Sequence, residues 1–501
     1  MIKRNLTANY LSQGWVALMG LAFIPLYIQY LGIEAYGLIG LFAVLQASLT
    51  LLDMGMTPTL NREMARFTAG AHTIQSIRDL LRSVEWVTFG IAVFVTVGIW
   101  AASSWLVSDW LRVGELPLGV VSQALSIMGV VTALRLVEGV YRSSLIGLQR
   151  QVLFSAVNAI MATLRWLGAV VVLVWFSPTI EAFFVWQGLI SSLSVGVLAC
   201  ATYRALPEAE HGGRFSLAAL RGVRRFAGGM MGVTFLALLL TQVDKVLLSR
   251  LLSLSDFGYY SLAVMVAGAV HVLVSPMTQA WYPKFCELYA LNDREGMAAA
   301  YHMATQMLSV IVGSAAIVVI VFAGTLLQLW TQDSALTRQT ATLVSLLTFG
   351  NLLNGLTSMP HQAQIAHGWP GLAVRINIVL VLLIVPSILW VAPRYGAEGA
   401  AWVWVCLNAG YLLIGTPFMY RKILAGEKLD WYLRDLALPL LAATFAALLV
   451  RWATPTPVSP FGQVAQLMLA AVSTLALATL AAQSLRKKLW HRLLGYPREV
   501  A

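Results

Sequence analysis

The sequence predicts an all-α membrane protein that crosses the bilayer many times. Of its 501 residues, 59% are hydrophobic and only 11% are charged, whereas soluble domains carry about 25% charged residues. Apolar segments of roughly 20 residues, the length needed to span a bilayer, recur along the whole chain. The segments between them are too short to hold a folded soluble domain.

Fourteen segments have the length and composition of a spanning helix. They are 8–31, 36–56, 84–106, 118–140, 152–176, 181–202, 226–249, 257–281, 303–328, 339–360, 370–391, 397–420, 433–450 and 461–484. The first follows a basic start and lacks a small-residue cleavage site, so we interpret it as a retained span and not a signal peptide. An even number of spans places both termini on one side.

The basic residues indicate which side is inside. Lys and Arg concentrate in alternate connecting segments, which the positive-inside rule places in the cytoplasm. The predicted outer loops carry only Arg112, Arg250, Arg338, Arg394 and Arg451. The net charge of +11 is therefore explained by the orientation of the protein in the membrane, and no nucleic-acid partner is needed to account for it. We expect a multi-pass membrane protein with both termini cytoplasmic.

Two hairpins reveal an internal repeat. YLGIEAYGLIGLFAV (30–44) and LSLSDFGYYSLAVMV (252–266) align with Gly37 on Gly258, and an acidic residue precedes the aromatic-Gly pair in each. The period is roughly 220 residues, which corresponds to six spans and predicts two halves of the same orientation.

The repeat predicts three parts of the chain. Residues 1–222 form an N-terminal six-helix bundle and residues 223–425 form a second six-helix bundle. Residues 426–501 add two further spans and a basic cytoplasmic tail.

Three cationic residues fall deep inside predicted spans: Arg135, Arg165 and Lys245. Each would cost roughly 2.5–3.5 kcal/mol at a helix centre facing lipid, so we expect them to face protein or a watery cavity. A cavity lined by these groups would suit an anionic ligand such as a diphosphate. In the alternative, each cation pairs with a carboxylate on a neighbouring helix and only holds the bundle together.

Helical spacing places Arg165 on a face of small and polar residues, together with Ser155, Asn158, Ala162 and Ala169. Three carboxylates, Glu138, Asp244 and Asp53, are candidate coupling groups or charge-pair partners.

Spacing also indicates which charges can pair. Arg135 and Glu138 are three residues apart and close enough to pair on one helix face. Asp244 and Lys245 point about 100° apart on a helix and should find partners elsewhere. Asp53 lies at the inner end of the second span, where we expect an interfacial residue or a partner for a loop Arg more than a proton carrier.

Motifs for catalysis are missing from the sequence. There is no G-x-x-x-x-G-K-[ST], H-E-x-x-H or G-x-S-x-G, and three scattered Cys indicate neither a disulfide framework nor a metal site. We therefore predict no catalytic residue, no cofactor and no metal, and a protein that is not an enzyme. If the protein is a transporter, the absence of a nucleotide-binding motif means that its energy would come from an ion gradient, a substrate gradient or removal of the product.

Three stretches together resemble the polysaccharide or O-antigen flippase family of the multidrug/oligosaccharidyl-lipid/polysaccharide (MOP) exporter superfamily. They are IPLYIQYLGIEAYGLIGLFAVLQASLTLLDMGMTPTLNREMAR (24–66), QVDKVLLSRLLSLSDFGYYSLAVMV (242–266) and YGAEGAAWVWV (395–405). The resemblance implies a V-shaped pair of six-helix bundles with extra C-terminal helices.

The resemblance also implies a function. Members of the family move undecaprenyl-diphosphate-linked oligosaccharides across the bacterial inner membrane, so the implied partners are that lipid-linked substrate, membrane lipid and polysaccharide polymerase machinery. Arg135, Arg165 and Lys245 become candidates for the cationic cavity, with Lys245 favoured because it stands in the family-like QVDK stretch.

Two other functions stay open. A cation-coupled multidrug exporter of the same superfamily would favour carboxylates over cations in its cavity. A membrane sugar polymerase or ligase usually needs a long outer loop, which this chain lacks.

Overall fold

The structure is a computed structural model that describes residues 2–68, 70–208, 211–369, 371–455 and 459–487. Almost all of these residues are helical, and the described ranges contain no β-strand. One isolated bridge joins Arg112 to Ser253. The prediction of an all-α fold is confirmed.

The chain forms two compact units, Met1–Gly258 and Tyr259–Ala501. The sequence analysis defined its parts by the internal repeat and not by compactness. The division into 1–222, 223–425 and 426–501 therefore stays a prediction. The two units are described separately below.

In the described ranges, unit 1 contains eight helices and the start of a ninth. They are α1 (Ile2–Ala22), α2 (Ile24–Leu52), α3 (Met56–Thr68), α4 (Ile74–Trp105), α5 (Leu118–Gly147), α6 (Gln151–Trp175), α7 (Ile180–Ala205), α8 (Leu217–Leu251) and the beginning of α9 (Leu254–Ala290). A π-helical turn, Leu106–Trp110, extends α4.

Among the residues that the structure describes, unit 2 contains the rest of α9 and eight further helices. They are α10 (Arg294–Val321), α11 (Ala323–Thr331), α12 (Ser334–Leu356), α13 (Ser358–Ala366), α14 (Gly371–Gly410), α15 (Lys428–Asp430), α16 (Leu438–Ala453) and α17 (Pro460–Ala481). Tyr411–Gly415 and Trp431–Ala437 are π-helical, and Thr416–Arg421 is a 3₁₀ turn.

In the part of the chain that the structure describes, ten helical stretches are long and apolar enough to cross a membrane. One of them, Gly371–Arg421, covers two predicted spans because α14 continues through a kink at Gly396, where φ is +60°. Similarly, α2 begins at Ile24, next to a proline that suits a first helical turn, and kinks at Gly32 with φ +82°. Glycine tolerates this left-handed conformation. The position of the first hairpin therefore agrees with the sequence prediction, whereas the ends of its helices differ from the predicted span ends.

A buried carboxylate fixes the loop before α5 in unit 1. Glu34, on α2, accepts hydrogen bonds from the backbone N–H groups of Gly114 (2.5 Å), Glu115 (2.8 Å) and Leu116 (3.0 Å). Glu34 is buried, and a buried carboxylate without hydrogen-bond donors would be costly. Glu34 thus ties this loop to the first hairpin.

The two repeat-related glycines lie in reciprocal contacts within unit 1. A Cβ added at Gly37 would collide with the carbonyl oxygen of Leu254, and one added at Gly258 would collide with the carbonyl oxygen of Ile33. Ile33 and Leu254 occupy equivalent positions in the two aligned hairpins. Only glycine allows backbone to approach backbone this closely, which explains why the motif has Gly at both positions.

We predict that Gly258→Ala lowers the stability of the protein by about 1–3 kcal/mol, because the new methyl group meets a backbone carbonyl that cannot rotate away. Gly268→Ala, on the same helix, meets nothing within 4 Å and should leave stability unchanged or raise it by up to about 1 kcal/mol. Thermal unfolding of the detergent-solubilised protein measures both changes. Equal shifts for the two variants would contradict the close contact.

Aromatic side chains and a polar network together hold unit 2. Trp431, Phe285 and Tyr301 are fully buried, and the Tyr301 and Tyr420 hydroxyls are hydrogen bonded at 2.6 Å. Small residues of α16 and α17, among them Ala443 and Ala470, pack closely against α10, as is usual for helices in lipid.

The polar network is centred on His302 of α10. Its Nδ1 contacts the buried Asp435 carboxylate, and its Nε2 lies 3.0 Å from Glu427 Oε2. Gln306 donates to Asp435 at 2.8 Å and accepts from the backbone N–H of Ser484 at 2.8 Å. The network therefore joins α10 to the segment before α16 and to the segment after α17.

We predict that Asp435→Ala destabilises the protein by roughly 3–5 kcal/mol, because it leaves buried partners on α10 without their acceptor. Asp430→Ala is the matched control, since Asp430 pairs with Arg434 at 3.1 Å on the exposed face of the same segment and should cost no more than about 1 kcal/mol. Apparent melting temperatures of the two variants test this difference. Similar losses would show that the network does not hold the C-terminal helices.

Candidate functional site

The deep charges of unit 1 gather where α5, α6 and α7 meet. Arg135 and Glu138 lie on α5, Arg165 on α6 and Gln187 on α7. Arg165 is 7% exposed and Gln187 is 2% exposed. We call these four residues the arginine cluster.

The buried face of α6 matches the face that helical spacing selects. Ser155, Ala162, Arg165 and Ala169 are all buried, and the fifth residue, Asn158, donates a hydrogen bond to Ser12 Oγ at 3.3 Å. Small residues on this face let α6 approach its neighbours. The expectation that Arg165 faces protein, and not lipid, agrees with this burial.

Pairing inside the cluster differs from the pattern expected from spacing. Glu138 Oε2 lies 3.6 Å from Nη2 of Arg165 on the neighbouring helix, so its ion-pair partner is not Arg135. Arg135 instead reaches α7, where its Nη2 lies 3.5 Å from Gln187 Oε1. Arg165, the more deeply buried cation, takes the carboxylate because leaving it without a counter-charge would cost most.

The arginine cluster retains unused hydrogen-bonding capacity. Four donor atoms, Arg135 Nε, Arg165 Nε and Nη2, and Gln187 Nε2, and one acceptor, Glu138 Oε2, have no hydrogen-bond partner among the residues that the structure describes. On α5 and α7, the hydroxyls of Thr132 and Ser191 are also buried, and they also lack a hydrogen-bond partner among the described residues. Since two guanidinium groups face one carboxylate, the cluster is positively charged and rich in donors.

Lys245 and Asp244 form a second charged group, on α8. Lys245 Nζ lies 3.3 Å from Asp244 Oδ1 and donates to the carbonyl oxygen of Thr241 at 2.6 Å. The expectation that these neighbours cannot pair is wrong. Their Cβ atoms do diverge, but the flexible four-carbon stem of Lys folds back along its own helix.

Asp53 caps a helix. Its Oδ2 accepts from the backbone N–H of Thr57 at 2.9 Å and its Oδ1 from the Thr57 hydroxyl at 2.6 Å, which orders the first turn of α3. Met54 and Gly55 make the preceding turn with positive φ. This capping arrangement accounts for a buried carboxylate at the end of α2.

Gln187 is the member of the cluster that the sequence analysis did not select. It is a single amide within the apolar stretch FFVWQGLI (183–190) of α7. A lone polar residue within a span indicates a hydrogen bond to a neighbouring helix, so the sequence could have identified it. The residues of the His302 network were also missed, because they lie far apart in the sequence. No group of His, Cys, Asp and Glu that could hold a metal ion occurs in the described ranges.

A chain of apolar helices that buries paired charges within its spans is a multi-pass, all-α membrane protein. Residues 2–289 match the family described as "Polysaccharide biosynthesis protein". Because that match covers more than half of the chain, the protein belongs to this family. No curated protein sequence matches the chain.

Solved structures show the same fold. The lipid II flippase MurJ, in an inward closed conformation, superposes with a TM-score of 0.73 at 12% identity over 98% of this chain and 99% of its own. An inward-facing MATE family multidrug resistance transporter of the MOP superfamily gives 0.66 at 16% identity, over 82% and 96%. A mutant of the MATE transporter VcmN from Vibrio cholerae gives 0.55 at 15%, over 84% and 96%. The fold is therefore that of MOP superfamily transporters, as the resemblance predicts.

We predict that Glu138→Ala destabilises the protein by about 3–5 kcal/mol, because it leaves Arg165 buried without a counter-charge. In a cycle with Glu138→Leu and Arg165→Met as the single variants, the double variant removes both charges and should recover most of that loss. Apparent melting temperatures of the single and double variants measure the coupling.

Glu287→Ala is the control, since its pair with Lys284 is exposed and should cost no more than about 1 kcal/mol. A double variant less stable than either single variant would contradict a direct Arg165–Glu138 interaction.

Proposed function

We propose that the protein is a flippase that moves a polyprenyl-diphosphate-linked oligosaccharide across the bacterial inner membrane by alternating access. Membership of the polysaccharide biosynthesis family supports a role in making a polysaccharide. The transporter fold supports transport as that role. Undecaprenyl diphosphate is the lipid carrier that we propose, with membrane lipid around the protein and a polysaccharide polymerase acting on the product.

The excess of positive charge in the arginine cluster is the observation that carries the substrate class. The cluster has two guanidinium groups but one carboxylate, which lies 3.6 Å from Arg165, and four donor atoms of the cluster have no hydrogen-bond partner among the described residues. Guanidinium binds phosphate through paired hydrogen bonds. A diphosphate supplies both the negative charge and the acceptor oxygens that the cluster is short of.

Lys245 is the second cationic group that we assign to the substrate. Its ammonium is partly accessible, with 23% of the side chain exposed, and it already contacts Asp244. Ligand binding would replace the Asp244 carboxylate by another anion as the partner of Lys245. This replacement costs less free energy than burying a charge in an apolar site without a counter-charge. Glu138 and Asp244 are then the groups that hold the cations when substrate is absent.

The orientation and the moving parts follow from the sequence. Both termini are cytoplasmic in our proposal, since Lys and Arg concentrate in segments that this orientation places inside. Residues 1–222 and 223–425 are the two halves that alternate, and residues 426–501 are an addition to them.

We expect Arg135→Ala, Arg165→Lys and Lys245→Ala each to reduce flipping at least tenfold, about 1.4 kcal/mol of lost interaction with the diphosphate. Each variant is expressed in a strain that lacks the native gene, and surface polysaccharide is measured alongside the amount of protein in the membrane. Arg165→Lys keeps a charge opposite Glu138, so that loss of function is separated from loss of folding.

Arg434→Ala is the matched control, because this cation lies in a predicted span but pairs on an exposed face. Wild-type polysaccharide levels in all three test variants would overturn the assignment. Repeat units that reach the outer leaflet unpolymerised would indicate a polymerase or ligase instead, and drug sensitivity of the deletion strain with intact polysaccharide would indicate a multidrug exporter.

A further inference from the structure

A cavity of about 340 Å³ lies in unit 2, outside the arginine cluster. Its walls come from the end of α9, the start of α10, His367 after α13, and the loop that precedes α15. Nearly all of these residues follow residue 289, where the family match ends. Sites for small ligands occupy roughly 300 Å³ or more, so the cavity can hold a small polar group with part of its organic substituent.

Two cations and two carboxylates line the cavity, but the carboxylates are already engaged. Asp293 accepts from the backbone N–H of Gly296 at 2.8 Å as the cap of α10, and Glu427 lies 3.0 Å from His302 Nε2. Arg294 and Lys422 have no ion-pair partner within the described part of the chain. The formal charges of the lining therefore balance, and the two cations, which have no ion-pair partner among the described residues, are the groups left to bind an anion.

Neighbouring side chains position these groups. Lys422 Nζ lies 4.7 Å from the centre of the Trp369 ring, a cation–π contact that orients the ammonium. The His367 ring packs against Tyr289 at 4.6 Å, and its Nδ1 donates to the carbonyl oxygen of Ala363 at 2.8 Å. Because a carbonyl only accepts, Nε2 of the neutral ring is left as an acceptor.

The remaining lining is apolar and includes Leu288, Met297 and Ile423. An occupant must therefore combine an anionic group with an apolar or weakly polar part. A phosphate ester has this character, and Arg with Lys is a common combination for binding it. The segments at 284–294 and 421–428 are also among those that the basic residues place on the cytoplasmic side, and they adjoin predicted spans.

We propose that this cavity is a second anion site that binds a phosphate ester through Arg294 and Lys422. It is separate from the transport site proposed for unit 1, and it does not depend on the substrate assigned there. The phosphate comes either from a soluble phosphate ester or from an anionic phospholipid headgroup, and the two arms of the test distinguish these sources.

In the first arm, glycerol 3-phosphate is titrated against the full-length protein in neutral detergent, at constant ionic strength maintained with NaCl. Thermal unfolding reports binding, because a ligand of the folded state raises the melting temperature. We expect saturable stabilisation, with a midpoint concentration at least tenfold higher in Arg294→Gln and in Lys422→Gln. Both side chains are exposed, so neither change should prevent folding.

Arg421→Gln is the matched control. Arg421 is also exposed and directly precedes Lys422, but it stacks on Phe418 at 4.9 Å and does not line the cavity. Its midpoint should equal that of the wild type. Equal midpoints in all four proteins would overturn the proposal for a soluble ester.

In the second arm, the same proteins are purified from mixed micelles that contain phosphatidylglycerol, and native mass spectrometry counts the lipid molecules retained. A lipid source predicts one retained molecule that is lost in Arg294→Gln and Lys422→Gln but kept in Arg421→Gln. Retention that is identical in all variants, together with no shift in the first arm, would show that the cavity binds neither source. Failure of this test leaves the unit 1 flipping assay unaffected, since the substitutions lie in different units.

Discussion

The structure depends on one constraint, that a group inside the bilayer core cannot turn to water for its hydrogen bonds. Backbone amides meet it by forming helices, which explains why nearly all described residues are helical. Polar side chains inside the bilayer must form their hydrogen bonds and ion pairs with one another. The pair formed by Arg165 and Glu138, which lie within predicted spans, is a result of this requirement.

The same constraint gives the arginine cluster its chemical interest. A buried ion pair is stabilised only when its remaining donors and acceptors are also satisfied, and four donors and one acceptor of this cluster have no hydrogen-bond partner among the described residues. A closed network of this kind would serve only packing. An open one is suited to an anion that arrives and leaves, which is the property that our transport proposal requires.

The two cationic sites differ in their surroundings, and this decides what each can do. The arginine cluster is buried between α5, α6 and α7, so its charges act through a low dielectric and at short range. Arg294 and Lys422 are exposed at helix ends, where salt screens them more strongly. The first arrangement suits selective binding of a high charge, whereas the second suits reversible binding of a group that is abundant at the membrane surface.

The sequence alone determined the all-α membrane fold, the buried face of α6 and the alignment of Gly37 with Gly258, because composition, helical period and repeats can be read without knowing which helices are neighbours. It did not determine the partners of the charges. Glu138 pairs across helices, Lys245 folds back onto Asp244 and Asp53 caps α3, since pairing depends on which helices are neighbours and how far each side chain reaches. Those distances exist only once the helices have packed, so tertiary structure decided them.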